Sequence, residues 1–214
     1  MAQTPPPPTY GTSRGGLPTE CDKTGVTFTS PRTGWLAGAC AAGLLVLVST
    51  DAGLRWSPQR LPVTSLACLD GCFINPLQFI GRAGFLTVSH YPAVAYLLVS
   101  TDGGASWQLR HLPAGAGPYP QVRFFSPRQG IIVSAGAQGT FGRVFYVTAN
   151  GGKTWTAVPQ GRRFTELGAG VDFVSTRTGY AWINAADVTA GGPPDMYETT
   201  NSGITWQPFA PRLG

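Results

Sequence analysis

The stretch Ser49-Thr50-Asp51-Ala52-Gly53-Leu54-Arg55-Trp56 returns three times along the chain: as Ser100-Thr101-Asp102-Gly103-Gly104-Ala105-Ser106-Trp107, as Thr148-Ala149-Asn150-Gly151-Gly152-Lys153-Thr154-Trp155 and as Thr199-Thr200-Asn201-Ser202-Gly203-Ile204-Thr205-Trp206. Each copy reads Ser/Thr, any residue, Asp/Asn, any residue, Gly, two more, then Trp. Successive tryptophans lie 51, 48 and 51 residues apart. A fixed period of this size marks a repeat architecture in which each repeat is one supersecondary unit.

The box has a physical reading. An Asp or Asn opening a tight turn accepts backbone N–H bonds, and the Gly after it takes positive φ without steric cost. A hairpin turn is therefore expected at Asp51 and Gly53, Asp102 and Gly104, Asn150 and Gly152, and Asn201 and Gly203. A second motif precedes each box: Phe28 to Trp35 (FTSPRTGW), Phe124 to Ile131 (FFSPRQGI), Phe173 to Tyr180 (FVSTRTGY) and a shorter Phe79 to Phe85 (FIGRAGF). The apolar runs between motifs are short, β-branched or aromatic, and bounded by Gly, Pro, Ser or Asn, which is strand chemistry. Repeat one divides into Val26–Thr29, Trp35–Ala37, Leu44–Ser49 and Trp56–Leu61.

Four antiparallel strands per repeat make the blade of a β-propeller. The expected fold is all-β: four four-stranded antiparallel blades near residues 24–62, 73–113, 121–160 and 170–211, almost no helix, and a Pro-rich linker over 1–23. In such blades Trp56, Trp107, Trp155 and Trp206 are large apolar groups expected to cover the gaps between neighbours. They are scaffold before they are ligand platforms.

These motifs resemble the Asp-box, or bacterial neuraminidase repeat, and the Phe-x-Ser-x-x-x-Gly-aromatic motif is similar to that of bacterial homologues of the photosystem II stability and assembly factor. The resemblance spans residues 24 to 211 and implies propeller architecture. Asp-box propellers include sialidases, other glycosidases, sorting receptors and non-enzymatic assembly factors, so the fold does not fix the activity. Both families build longer propellers than four blades. Four repeats can close as a ring, pair with a second copy as a homodimer, or form part of a larger propeller.

Charged residues are 12% of the 214, about half the usual share, which excludes a disordered tail or a coiled coil. The formal charge is +5. Its basic residues are scattered, with Arg162 and Arg163 the only adjacent pair, so the stripe that tracks a nucleic-acid backbone is missing. No transmembrane helix is expected: the uncharged run from Gly34 to Thr50 is interrupted by Gly38 and Gly43 and reads as two strands. No signal peptide is visible in this numbering. The four cysteines, Cys21, Cys40, Cys68 and Cys72, suit disulfides and an extracytoplasmic location. The expected pairs are Cys21 with Cys40 and Cys68 with Cys72; a four-thiolate zinc site is the alternative, although Cys-x3-Cys is looser than the usual spacing.

The sialidase constellation of an arginine triad, a Tyr nucleophile with its Glu and an acid/base Asp cannot be assembled. The Arg-Ile-Pro signature is missing and the only glutamates are Glu20, Glu166 and Glu198. A glycosidase needs two carboxylates flanking a bond, for which Glu166, Asp172, Asp187 and Asp195 remain. Arg32, Arg82, Arg128 and Arg177 occupy one repeat position, and closed blades would make them a ring that docks carboxylates. The alternative is that each Arg braces its own turn. The opposite face should carry Cys40, His90, Tyr91, Tyr119, Arg162, Arg163, Glu166, Asp187 and Asp195, a mixed aromatic and charged rim suited to a ligand. His90 and His111 lack a nearby carboxylate in the chain, so no metal and no cofactor are expected.

The expectation is a non-catalytic module that binds or assembles proteins. Its rival is a sialidase-like glycoside hydrolase or a carbohydrate-binding propeller with a glycan ligand.

Overall fold

In a computed structural model, the described residues are 17, 21–40, 43–63, 72–90, 94–117, 119–135, 143–159, 170–182 and 196–209. Tyr91, Arg162, Arg163, Glu166, Asp187, Asp195, Cys68 and most of the 1–23 segment lie outside them, and His90 enters only as a strand position.

Blade one is β1 (Cys21–Phe28), β2 (Gly34–Cys40), β3 (Gly43–Ser49) and β4 (Ser57–Pro58), paired antiparallel in chain order. Its first strand begins at Cys21, ahead of the expected Val26 and inside the expected linker. A register shift between Lys23 and Gly25 breaks the apolar alternation there, which hides the strand in the sequence. Cys21 thus sits within a strand and not before it.

Blade two has its innermost strand in two pieces, β5 (Cys72–Ile74) and β6 (Gln78–Ile80), both on β7 (Ala83–His90), followed by β8 (Val94–Ser100) and β9 (Gln108–His111). Pro76 explains the gap, because it has no N–H to give the ladder; the flanking Asn75 N–H still donates to Thr87. Blade three is β10 (Gln121–Phe124), β11 (Gly130–Ala135), β12 (Arg143–Thr148) and β13 (Thr156–Ala157). Blade four is β14 (Gly170–Phe173), β15 (Gly179–Trp182), β16 (Met196–Thr199) and β17 (Gln207–Pro208). The only helical segment among the described residues is a 3₁₀ turn at Ala114–Ala116.

The chain forms two compact units, residues 1–110 and 111–214. The first holds blades one and two, to within a residue, and the second holds blades three and four. In the first, Trp35, Ala37 and Val46 of blade one bury themselves against Leu77, Leu86, Val88, Leu98 and Trp107 of blade two. In the second, Ile131, Val133 and Phe145 of blade three meet Phe173 of blade four. Blades that bury an apolar face against a neighbour need few charged side chains there, in keeping with the composition.

Candidate functional site

All four boxes turn between the third and fourth strands of their blades. The Asp or Asn side chain accepts the N–H of the residue four on: Arg55 at 2.8 Å, Ser106 at 2.9 Å, and Thr154 and Thr205 at 3.0 Å. The first position of the box does as much. Ser49, Ser100, Thr148 and Thr199 are buried, and each hydroxyl oxygen accepts the box Gly N–H at 2.7 to 3.0 Å. The hydroxyl proton goes to the Asp or Asn oxygen, so the buried group is satisfied both ways. Sequence reading missed this role, although Ser or Thr at all four copies was its signal.

Hydrogen bonds from Ser106 and Ser100 hold the Asp102 carboxyl far below the usual carboxylate range. The Arg55 N–H, with help from Ser49, lowers Asp51.

The second motif packs onto the box. Phe28, Phe79, Phe124 and Phe173 lie 6.0 to 6.4 Å from the box Trp of their own blades, in edge-to-face pairs. The same four rings lie across Gly34, Gly84, Gly130 and Gly179, where a Cβ would overlap them. The tryptophans therefore serve first as partners within a blade. Two also bridge blades as expected: Trp107 meets Trp35 at 6.1 Å and Trp206 meets Phe145 at 6.1 Å.

The recurrent arginines sit where motif and box meet. The carbonyls of Arg32, Arg82, Arg128 and Arg177 accept the N–H of Ala52, Gly103, Gly151 and Ser202 at 2.8 to 2.9 Å. Those four donors all have positive φ, a conformation the turn imposes on Ala52 and Ser202 against the preference of their side chains. All four arginine side chains reach solvent. The guanidinium of Arg82 donates to the Asp102 carbonyl at 3.1 Å and that of Arg177 to the Thr200 carbonyl at 3.4 Å. Bracing of the turn, the blander of the two readings, is thus part of what this position does. Among the described residues the guanidinium groups of Arg32 and Arg128 meet no carboxylate or carbonyl.

A family model described as photosynthesis system II assembly factor YCF48 matches residues 13–210. The chain belongs to that family. None of the curated proteins matches it. Among solved structures, "YCF48 bound to D1 peptide" is similar at 19% identity with a TM-score of 0.60, over 92% of this chain and 56% of that one. YCF48 from Cyanidioschyzon merolae follows at 22% and 0.60, over 93% of this chain and 59% of that one. An ancestral GH74 enzyme reaches 19% and 0.51, over 89% of this chain and 24% of its own. The chain spans a little over half the length of the two YCF48 structures, and at these identities the likeness shows the β-propeller fold alone.

The structure also places one sequence candidate, Asp172, and one carboxylate set aside in the sequence reading, Glu198. Asp172, a carboxylate considered for glycosidase chemistry, is ion-paired with Arg123 at 2.6 Å between the innermost strands of blades four and three. Both side chains are exposed, so the pair contributes no more than about 1 kcal/mol, but it occupies the carboxylate. Glu198 accepts the Tyr180 hydroxyl at 3.0 Å and thereby raises the Tyr180 pKa.

Cys21 and Cys40 are directly opposed in β1 and β2 and form a disulfide, which removes the four-thiolate zinc alternative. Cys72 is disulfide-bonded too; its expected partner Cys68 lies outside the described residues. No group of three metal-binding side chains gathers among the described residues, and no helix of these is long and apolar enough to cross a membrane.

Proposed function

We propose that this chain is a non-catalytic, protein-binding member of the YCF48 family that works outside the cytoplasm and docks an acidic segment of its partner on the Arg-bearing turns of its blades. The observation that carries this reading is the four-fold recurrence of an exposed Arg whose carbonyl is locked to the Asp-box. The backbone lock fixes each arginine's Cα on its turn, and the guanidinium offers carboxylates a planar fork of donors. Likeness to a YCF48 structure with a bound peptide supports a peptide as the kind of ligand. The disulfides support an oxidising compartment.

The rival reading, a glycosidase or glycan-binding propeller, rests on Glu166, Asp187 and Asp195, with Asp172 held by Arg123.

Two assays on the same preparation separate them. Fluorescence anisotropy should show a labelled Asp/Glu-rich peptide binding, with affinity falling as salt rises, and a Lys-rich peptide of equal length failing to bind. A panel of fluorogenic glycosides, sialosides included, should show no turnover. Turnover lost in Asp187→Asn or Glu166→Gln would overturn the reading, as would equal affinity for both peptides.

A further inference from the structure

An asparagine followed by glycine is the step of a polypeptide most open to spontaneous loss of a side-chain amide. The glycine nitrogen is unhindered, and the backbone there turns freely enough to bring it onto the asparagine side chain. Asn150–Gly151 is the one such step in the chain, and it falls inside the box of blade three. Asn75 precedes Pro76, whose nitrogen carries no proton, and Asn201 precedes Ser202, whose side chain crowds the same attack.

The box ties down both reacting groups. The buried Gly151, at φ 73°, donates its N–H to the Arg128 carbonyl at 2.8 Å. The Asn150 amide is held at both of its ends. Its Oδ1 accepts the Thr154 N–H and the Thr148 hydroxyl, each at 3.0 Å, and its Nδ2 donates to Thr154 Oγ1 at 2.7 Å. Attack requires the Gly151 nitrogen to give up its proton and swing onto Cγ of Asn150, so these bonds must open first.

We infer that Asn150–Gly151 is a latent deamidation site, kept shut by the Asp-box and released by local opening of its turn. On opening, the Gly151 nitrogen bonds to Asn150 Cγ, the Cγ–Nδ2 bond breaks, and the amide leaves as ammonia with the Gly151 proton. The product is a five-membered imide. Water then adds to one of its two carbonyl carbons. Addition at Cγ breaks its bond to the Gly151 nitrogen and leaves aspartate at position 150. Addition at the backbone carbonyl carbon leaves isoaspartate, with the main chain rerouted through the side-chain carbons.

Only the first product suits the box. Asp102 makes the same turn as a carboxylate, accepting the Ser106 N–H at 2.9 Å on one oxygen and the Ser106 hydroxyl at 2.5 Å on the other. Thr154 holds the Ser106 position in blade three, and its hydroxyl needs only to turn from acceptor to donor. Isoaspartate lengthens the main chain inside the turn and carries Gly151 off the Arg128 carbonyl. Each opening that runs to aspartate therefore leaves a folded chain marked irreversibly by one new carboxylate in box three.

Mass spectrometric peptide mapping of the full chain, after incubation at mildly alkaline pH with and without guanidinium chloride, tests this. Trypsin releases residues 144–153, in which Asn150 is the one asparagine. In denaturant that peptide should lose ammonia and gain water steadily, whereas in the folded protein the same change should be slower by at least about tenfold. Thr154→Val, at an exposed position, removes the hydroxyl that holds Nδ2 and should speed the change in the folded protein by about two- to tenfold. An Asn150→Asp protein should melt close to the wild type at neutral pH. Equal rates with and without denaturant would overturn the inference, as would a Thr154→Val rate no faster than the wild type. An Asn150→Asp protein that fails to fold would overturn the persistence of the mark.

Discussion

The backbone N–H of Ser202, at φ 66°, donates to the carbonyl of Arg177 at 2.8 Å. That bond ties the Asp-box of blade four to the turn after its innermost strand, and its counterpart is present in every blade. The recurrence of Arg at one repeat position has a backbone component that any residue could supply and a side-chain component that only Arg supplies. The two components make different demands in experiments.

Stability should respond to the box and barely to the arginine side chain. Thr199→Ala deletes the acceptor of the buried Gly203 N–H, and an orphaned buried donor costs about 1–3 kcal/mol. Thr199→Ser should recover most of that loss. Arg177→Ala keeps its carbonyl and forfeits one exposed hydrogen bond, so it should cost no more than about 1 kcal/mol. Urea denaturation of the three variants checks the order; an Arg177→Ala protein less stable than Thr199→Ala would contradict it.

Aromatic pairing should dominate the packing of blade four. Phe173 is buried against Trp206 and Phe145, so Phe173→Ala should cost about 3–5 kcal/mol. A double-mutant cycle with Trp206→Phe should show the two sites to be non-additive, with coupling of about 0.5–1.5 kcal/mol. Additive losses would mean that the ring contact contributes nothing beyond burial.

Acid should weaken boxes one and two but not three and four. Asp51 and Asp102 titrate below their ordinary value of 3.8 in the folded protein. A depressed carboxylate contributes stability that is present above the unfolded value and lost as pH falls below it. Asn150 and Asn201 make the same turn bonds with a neutral amide and carry no such dependence. Replacing Asp51 and Asp102 with Asn should therefore flatten the fall in melting temperature below about pH 4. An unchanged acid profile would show that other carboxylates govern it.

Reduction should destabilise blade one. The Cys21–Cys40 bridge spans a sequence separation of 19 residues, for which chain entropy estimates about 3 kcal/mol. A Cys21→Ser/Cys40→Ser protein should melt earlier by an amount that matches the effect of reductant on the wild type at that bridge. Four titratable thiols in the denatured, unreduced protein would remove the bridge altogether.

Much of this fold was legible because the periodic Trp, Gly and Asp/Asn are the residues that the turn itself demands. The blade count and the place of each box follow from them, whereas the Cys21–Cys40 pair was an expectation that the opposed strands bear out. What stayed hidden was backbone work and local irregularity. Nothing in the identity of Arg32 or Arg128 tells that its carbonyl receives the box N–H, because every residue has a carbonyl. The early start of β1 is masked by the shift between Lys23 and Gly25, and the split of the inner strand of blade two becomes visible only when Pro76 is placed inside a strand. The box tryptophans look like links between blades, yet Trp56 pairs within its own blade with Phe28; the motif spacing brings Phe and Trp to one end of a blade, a proximity that sequence separation conceals. Of the proposed rim, Tyr119 is exposed at the approach to β10, and most of the rest lies outside the described residues.

The central claim is that the four arginine side chains bind carboxylates while their carbonyls hold the fold. Its most direct test is the dissociation constant of an Asp/Glu-rich peptide for wild type and for a protein with Arg32, Arg82, Arg128 and Arg177 all changed to Ala, its folding verified by the near-ultraviolet signal of the box tryptophans. Charged hydrogen bonds contribute about 1.5–3 kcal/mol each, so affinity should fall by about tenfold or more. Unchanged affinity in the folded variant would contradict the claim and leave the arginines as braces of their own turns.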